Sequence, residues 1–114
     1  MTNNNQDREV CIWTYQVRAD AENRFRALLS RHWPTLNRLG FVTDDPPLVF
    51  RSSEEPPVYV EIITWEAAGM RPAHEHPDVI EIWERMKSVV EEREQHHAVP
   101  GMSFPFFQTV DLGR

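Results

Sequence analysis

Glu61 is the residue whose setting most clearly asks for a chemical explanation. It stands in Tyr59-Val60-Glu61-Ile62-Ile63-Thr64-Trp65, where strand alternation puts it on one face with Tyr59, Ile63 and Trp65. A carboxyl group among aromatic and aliphatic side chains is the usual raw material of a general base or acid. The alternative is a structural carboxylate paired with Arg18, Arg51 or a partner subunit. His32 falls on the apolar stripe of a helical segment, one turn from Leu28 and Leu36, and is either an acid-base group or a buried, hydrogen-bonded histidine. If Glu61 and His32 meet, they form a proton-transfer pair.

His74 and His76 have the His-x-His spacing that an extended backbone turns into two imidazoles on one side. Two ligands are too few, and Glu75 or Asp78 would have to complete the set, so no metal is assigned and helix-entry capping is the competing explanation. His74 alone is kept with Glu61 and His32 as a catalytic candidate. His96 and His97, in a polar tail, carry less. The four tryptophans, Trp13, Trp33, Trp65 and Trp83, serve either core packing or the wall of a pocket for a flat ligand. Trp65, Tyr59 and Trp83 are the substrate-binding candidates.

The elements that must position these residues follow from periodicity. Val10 to Val17 reads as a strand with Cys11, Trp13, Tyr15 and Val17 on one face. Asp20 is placed to cap a helix whose stripe runs Phe25, Leu28, Leu29, His32, Trp33, Leu36 and Leu39 up to Gly40, with Pro34 predicting a kink or a break. Thr43 to Pro47 is a turn, and Leu48 to Arg51 and Val58 to Trp65 form a hairpin around the polar connection Ser52 to Pro57. Ala67 to Ala73 reads as irregular. A second helix starts near His76, with Pro77 first, Asp78 in the first turn and Val79, Trp83, Met86 and Val90 as its buried stripe. Glu91, Glu92 and Glu94 form a solvated helix face, Glu91 to His97, Pro100 and Gly101 end the helix, and Met102 to Val110 is a last strand.

This order, β-α-β-β-α-β, predicts an α+β, ferredoxin-like fold: a four-stranded antiparallel sheet with two helices on one face. Residues 1–9 form a polar leader and 10–114 one domain. Were Trp13, Tyr15, Ile63 or Phe106 to point to the uncovered face, a second subunit would have to cover it. A chain of 114 residues gains from such pairing in any case. The net charge of -6, without a clustered Lys/Arg face, argues against nucleic acid as a partner. A single cysteine, no apolar N-terminal segment and no run of bilayer length point to a cytoplasmic protein with no membrane partner.

The segment Tyr59 to Glu66, followed by Ala73-His74 and Pro77, resembles the antibiotic biosynthesis monooxygenase family of the dimeric α/β-barrel superfamily. In that family a Trp closes the third strand and an Ala-His pair opens the second helix. The resemblance implies a homodimer whose two sheets form a barrel, each subunit keeping a pocket between sheet and helices. Its cofactor-independent members oxidise bulky aromatic molecules and carry an Asn four residues before the strand-ending Trp. Trp65 matches the Trp, but Glu61 replaces the Asn, and an ionised Glu would repel a phenolate that an Asn binds. The haem-degrading branch uses a His within the second helix, and none lies between Asp78 and Gln95. The expectation is a dimer, without a cofactor, binding a small apolar or aromatic molecule near Glu61, Trp65, Tyr59, His32 and His74. It would act as an oxygenase, isomerase or cyclase, or else as a non-catalytic binding or structural module.

Overall fold

A computed structural model describes residues 8–91, 102–103 and 106–108. The elements are β1 (Glu9–Gln16), α1 (Glu22–Arg38), β2 (Leu48–Arg51), β3 (Val58–Trp65), α2 (Met70–Glu75), α3 (Pro77–Lys87), β4 (Met102–Ser103) and β5 (Phe106–Gln108). The architecture is α+β. The strands form one sheet in the order β2-β3-β1-β4, with β5 also pairing β1, and every pairing is antiparallel. The leader residues Met1 to Asp7, together with Glu92, Glu94, His96, His97, Pro100 and Gly101, lie outside the described residues.

Strand pairing fixes which side chains share a face. In the β1–β3 register Trp13 opposes Glu61, Tyr15 opposes Tyr59 and Cys11 opposes Ile63. These residues, with Trp65, are buried, whereas the alternating set Val10, Ile12, Thr14, Val60, Ile62 and Thr64 is only half-buried. The helices therefore cover the face that carries Trp13, Tyr15 and Ile63, which corrects the possibility that these rings point away from them. Both strand faces are apolar enough in sequence to fit either orientation; what decides is that Phe25, His32 and Leu36 of α1 and Val79, Ile82 and Met86 of α3 need a large apolar surface to bury.

Several boundaries differ from the periodicity. Asp20 does not cap α1: Ala21 holds that position without a side-chain cap. The helix continues through Pro34 rather than breaking, because buried Phe25, Leu28 and His32 before it and Leu36 after it tie both halves to the same core. The segment expected to be irregular contains α2, with Pro72 in its first turn, where a missing N–H costs little. His76 caps α3, its Nδ1 accepting from the Asp78 N–H at 3.1 Å, and Pro77 opens the helix as expected. That helix stops at Lys87, however, so Val90 and Glu91 are not part of it. Val90 bridges to Val17, and the Glu91 N–H donates to the Gln16 carbonyl. Backbone pairing with the end of β1 takes Val90 and Glu91 out of the helix. Ile82 belongs to the buried stripe of α3, and Trp83 is half-buried. Of the expected last strand, the described residues are β4 and β5, both paired with β1.

The turn from β3 into α2 is tight. Glu66 N–H donates to the Phe41 carbonyl at 3.0 Å, and a Cβ added to Gly69 would meet that same carbonyl oxygen at 2.3 Å. Glycine is required here for close approach, since its φ of -75° suits any residue. Gly69→Ala is expected to cost about 1–3 kcal/mol by overpacking, lowering Tm by roughly 5 °C or more. An unchanged Tm would show that the turn shifts freely.

Candidate active site

Three elements meet at one carboxylate, and a fourth reaches it through a histidine. Glu61 projects from the covered face of β3 and is 1% exposed. Its Oε1 accepts from the Tyr15 hydroxyl of β1 at 2.8 Å and lies 2.9 Å from Nδ1 of His32 on α1, itself fully buried. The second ring nitrogen of that histidine, Nε2, accepts from the indole N–H of Trp83 on α3 at 2.8 Å. Burial, reinforced by the Glu61 charge and hydrogen bond, holds the Tyr15 phenol well above its usual range, so Tyr15 stays a donor. Burial and the same charge also push up the Cys11 thiol, which is thereby kept from acting as a nucleophile.

A cavity of about 490 Å³ lies between α1 and the β2–β3 side of the sheet, within the size range of small-molecule sites. Arg26, Leu29, Ser30 and Trp33, at helical spacing, form one wall; Val49, Tyr59 and Glu61 form the other. Two polar atoms of its lining residues, Glu61 Oε2 and Trp33 Nε1, are buried and have no hydrogen-bond partner among the described residues. An unsatisfied buried acceptor and donor are each costly, and a bound molecule offering the complementary groups would remove that cost.

At the Tyr59 end of the cavity the Tyr59 hydroxyl donates to Glu22 Oε2 at 2.6 Å, and Arg51 makes two hydrogen bonds to the same carboxylate, at 2.5 and 3.1 Å. Arg51 also reaches Glu55 at 2.8 Å. The Arg51 guanidinium, followed by the Tyr59 hydroxyl, holds the Glu22 carboxyl down at about 2.

Among the sequence candidates, Glu61 and His32 meet, and Tyr59 lines the cavity beside Glu61. Arg51 and Arg18 are engaged elsewhere than at Glu61: Arg51 pairs with Glu22 and Glu55, while Arg18 donates to the Val90 carbonyl. Trp65 is 1% exposed in the core and does not line this cavity. Trp83 spends its N–H on His32. His74 is exposed and stands apart from Glu61, its ring edge-on to Trp83 with centroids 4.9 Å apart. It sits on α2, the helix that periodicity missed. His76 is occupied as the α3 cap, and among the described residues no three His, Cys, Asp or Glu side chains are grouped to hold a metal. Tyr15, Arg26 and Glu22 were not singled out from sequence. For Tyr15 a signal existed, since a phenol on the same strand face as Cys11 and Trp13 needs a buried partner.

The depressed Glu22 carboxyl has a consequence for acid stability. Its pKa in the folded chain is below the ordinary 4.5, so its contribution is present above that value and is lost as pH falls toward about 2. In Glu22→Gln, Tm measured from about pH 5 down to about pH 2 should fall less steeply than in the parent chain. Parallel curves would show that the pairing with Arg51 adds nothing to stability.

No family model and no curated protein sequence matches the chain. Solved structures do. SnoaB, a cofactor-independent oxygenase from Streptomyces nogalater, aligns over 95% of this chain and 99% of its own, with a TM-score of 0.72 and 14% identity. A protein provisionally described as an antibiotic biosynthesis monooxygenase from Nitrosomonas europaea aligns over 92% of each chain, with a TM-score of 0.71 and 10% identity. Another with the same description, from Bordetella bronchiseptica, aligns over 90% of this chain and 97% of its own, with a TM-score of 0.68 and 20% identity. At such identities the likeness is one of fold, carried through nearly the whole length of each chain. This chain has the antibiotic biosynthesis monooxygenase-like fold.

Proposed function

We propose that the protein is a cofactor-independent enzyme that removes a proton from a small apolar or aromatic molecule held between α1 and the sheet. The observation that carries this reading is the asymmetry of Glu61: Oε1 is occupied by Tyr15 and His32, while Oε2 has no partner and Glu61 lines the cavity. Such a carboxylate has one oxygen anchored and one available as a base. Taking a proton at Oε2 leaves the electron pair on the substrate. That anion is then either reprotonated at another atom, as in an isomerase or cyclase, or exposed to dioxygen, as in an oxygenase. The fold shared with a cofactor-independent oxygenase supports the latter as one outcome.

Tyr59, Leu29 and Trp33 supply the apolar walls, with Arg26 at the exposed side of α1. A module that serves structure alone has no need of this cavity. Binding of a ligand without chemical change, with dioxygen present, would favour the non-catalytic alternative. Glu61→Gln should abolish turnover, by at least about a hundredfold, while preserving the fold, because glutamine keeps the oxygen that accepts from Tyr15 and His32. Unchanged turnover of an identified substrate in that variant would remove Glu61 as the base.

The active form in this proposal is a homodimer. Pairing places Leu48 and Phe50 of β2 on the same uncovered face as Ile62, Val60 and Ile12, and Leu48 and Phe50 are 57% and 56% exposed. A second copy laid on this face would bury it. Sedimentation should give a dimer that persists on dilution, and Phe50→Glu should shift it toward monomer; a concentration-independent monomer in the parent chain would overturn this part of the proposal.

A further inference from the structure

We infer that Trp83 is a positioning residue that, together with Glu61, fixes the tautomer and orientation of His32, so that His32 joins Tyr15 in donating to Glu61 Oε1. An indole N–H can donate a hydrogen bond and cannot accept one. Its 2.8 Å contact with His32 Nε2 therefore requires a lone pair on that nitrogen. The neutral ring then carries its proton on Nδ1, and this N–H points at Glu61 Oε1, 2.9 Å away. Without Trp83, only the contact with Glu61 would select this tautomer and orient the ring, and turning the ring would cost no hydrogen bond at Nε2.

The surrounding rings hold this arrangement in place. Trp13 lies edge-on to His32 with centroids 5.2 Å apart and is tilted against Trp83 at 5.7 Å. His74 meets Trp83 from α2. Trp83 thus acts on the cavity through His32, although it is not itself among the lining residues of that cavity. With His32 and Tyr15 both donating to Oε1, Oε2 keeps its lone pairs for another group. The consequence for catalysis rests on Glu61 being the base; the tautomer itself does not.

The test is nuclear magnetic resonance of the full chain labelled with 15N in histidine and tryptophan. The parent protein should show His32 protonated on Nδ1 and unprotonated on Nε2, with a 15N–15N coupling across the hydrogen bond from Trp83 Nε1. Trp83→Phe, which keeps a ring and removes the donor, should shift the His32 Nε2 signal and abolish that coupling while the backbone spectrum remains folded. A His32 protonated on Nε2 in the parent chain would overturn the inference, even if the variant fails to fold. Unchanged His32 signals in a folded Trp83→Phe would overturn it as well. Neither readout depends on turnover, so loss of Glu61 as the base and loss of this tautomer lock are separately detectable.

Discussion

Keeping a carboxylate beneath a helix layer, out of reach of water, constrains the whole interior of this domain. An isolated charge in such a place is costly enough that proteins either neutralise it or surround it with donors. Here the donors come from Tyr15 and His32, and His32 is itself held by Trp83. Each partner belongs to a different element, so α1 and α3 must sit at one depth over the paired strands β1 and β3. The aromatic rings between them, Trp13, Tyr15, Phe25 and Tyr59, fill the remaining space at centroid separations of 4.8 to 6.0 Å. Polar satisfaction and apolar packing thus impose the same arrangement, and neither could be changed without disturbing the other.

The edge of the cavity follows a different logic. Glu22, Arg51 and Tyr59 join α1 to β2 and β3 through hydrogen bonds that are partly open to solvent. This cluster sets the separation of helix and hairpin rather than closing the core. Gly69 performs a comparable task at the other end of β3, where the backbone of α2 must pass close to Phe41. The cavity wall is therefore fastened at both ends of one strand, by charge at Tyr59 and by backbone contact beyond Trp65.

Much of this was legible in the sequence because Glu61 and His32 violate the apolar pattern of their own elements. A carboxylate among Tyr59, Ile63 and Trp65, and an imidazole between Leu28 and Leu36, each announce a buried partner, and each turned out to be part of the other's. Element order was legible too, since the strands alternate and the helices keep their stripes. Tyr15 was harder: its place beside Cys11 and Trp13 calls for a buried hydrogen-bond partner, but nothing in the sequence says which one. The short helix that carries His74 was not legible because Met70 to Glu75 contains Pro72 and follows Ala67-Ala68-Gly69, which reads as a loop; only the packed chain makes it a helix that sets His74 against Trp83. The end of α3 escaped for a related reason. Nothing local stops a helix at Lys87, and the pairing of Val90 with Val17 is visible only when distant segments are brought together.

The three hydrogen bonds around Glu61 and His32 also have a bearing on how the chain folds. They join residues 46, 29 and 51 positions apart. Contacts of that separation form only after large loops have closed, and their loop-closure entropy must be met before they contribute anything. No fragment containing a single helix and its neighbouring strand can hold the whole set. A nascent chain must extend past Trp83 before all three bonds can form, and local opening of α3 in the mature protein would remove the one from Trp83 to His32 without disturbing the hairpin. The site therefore needs the same long-range closure that pairs β1 with β3, and its integrity reports on that of the whole domain.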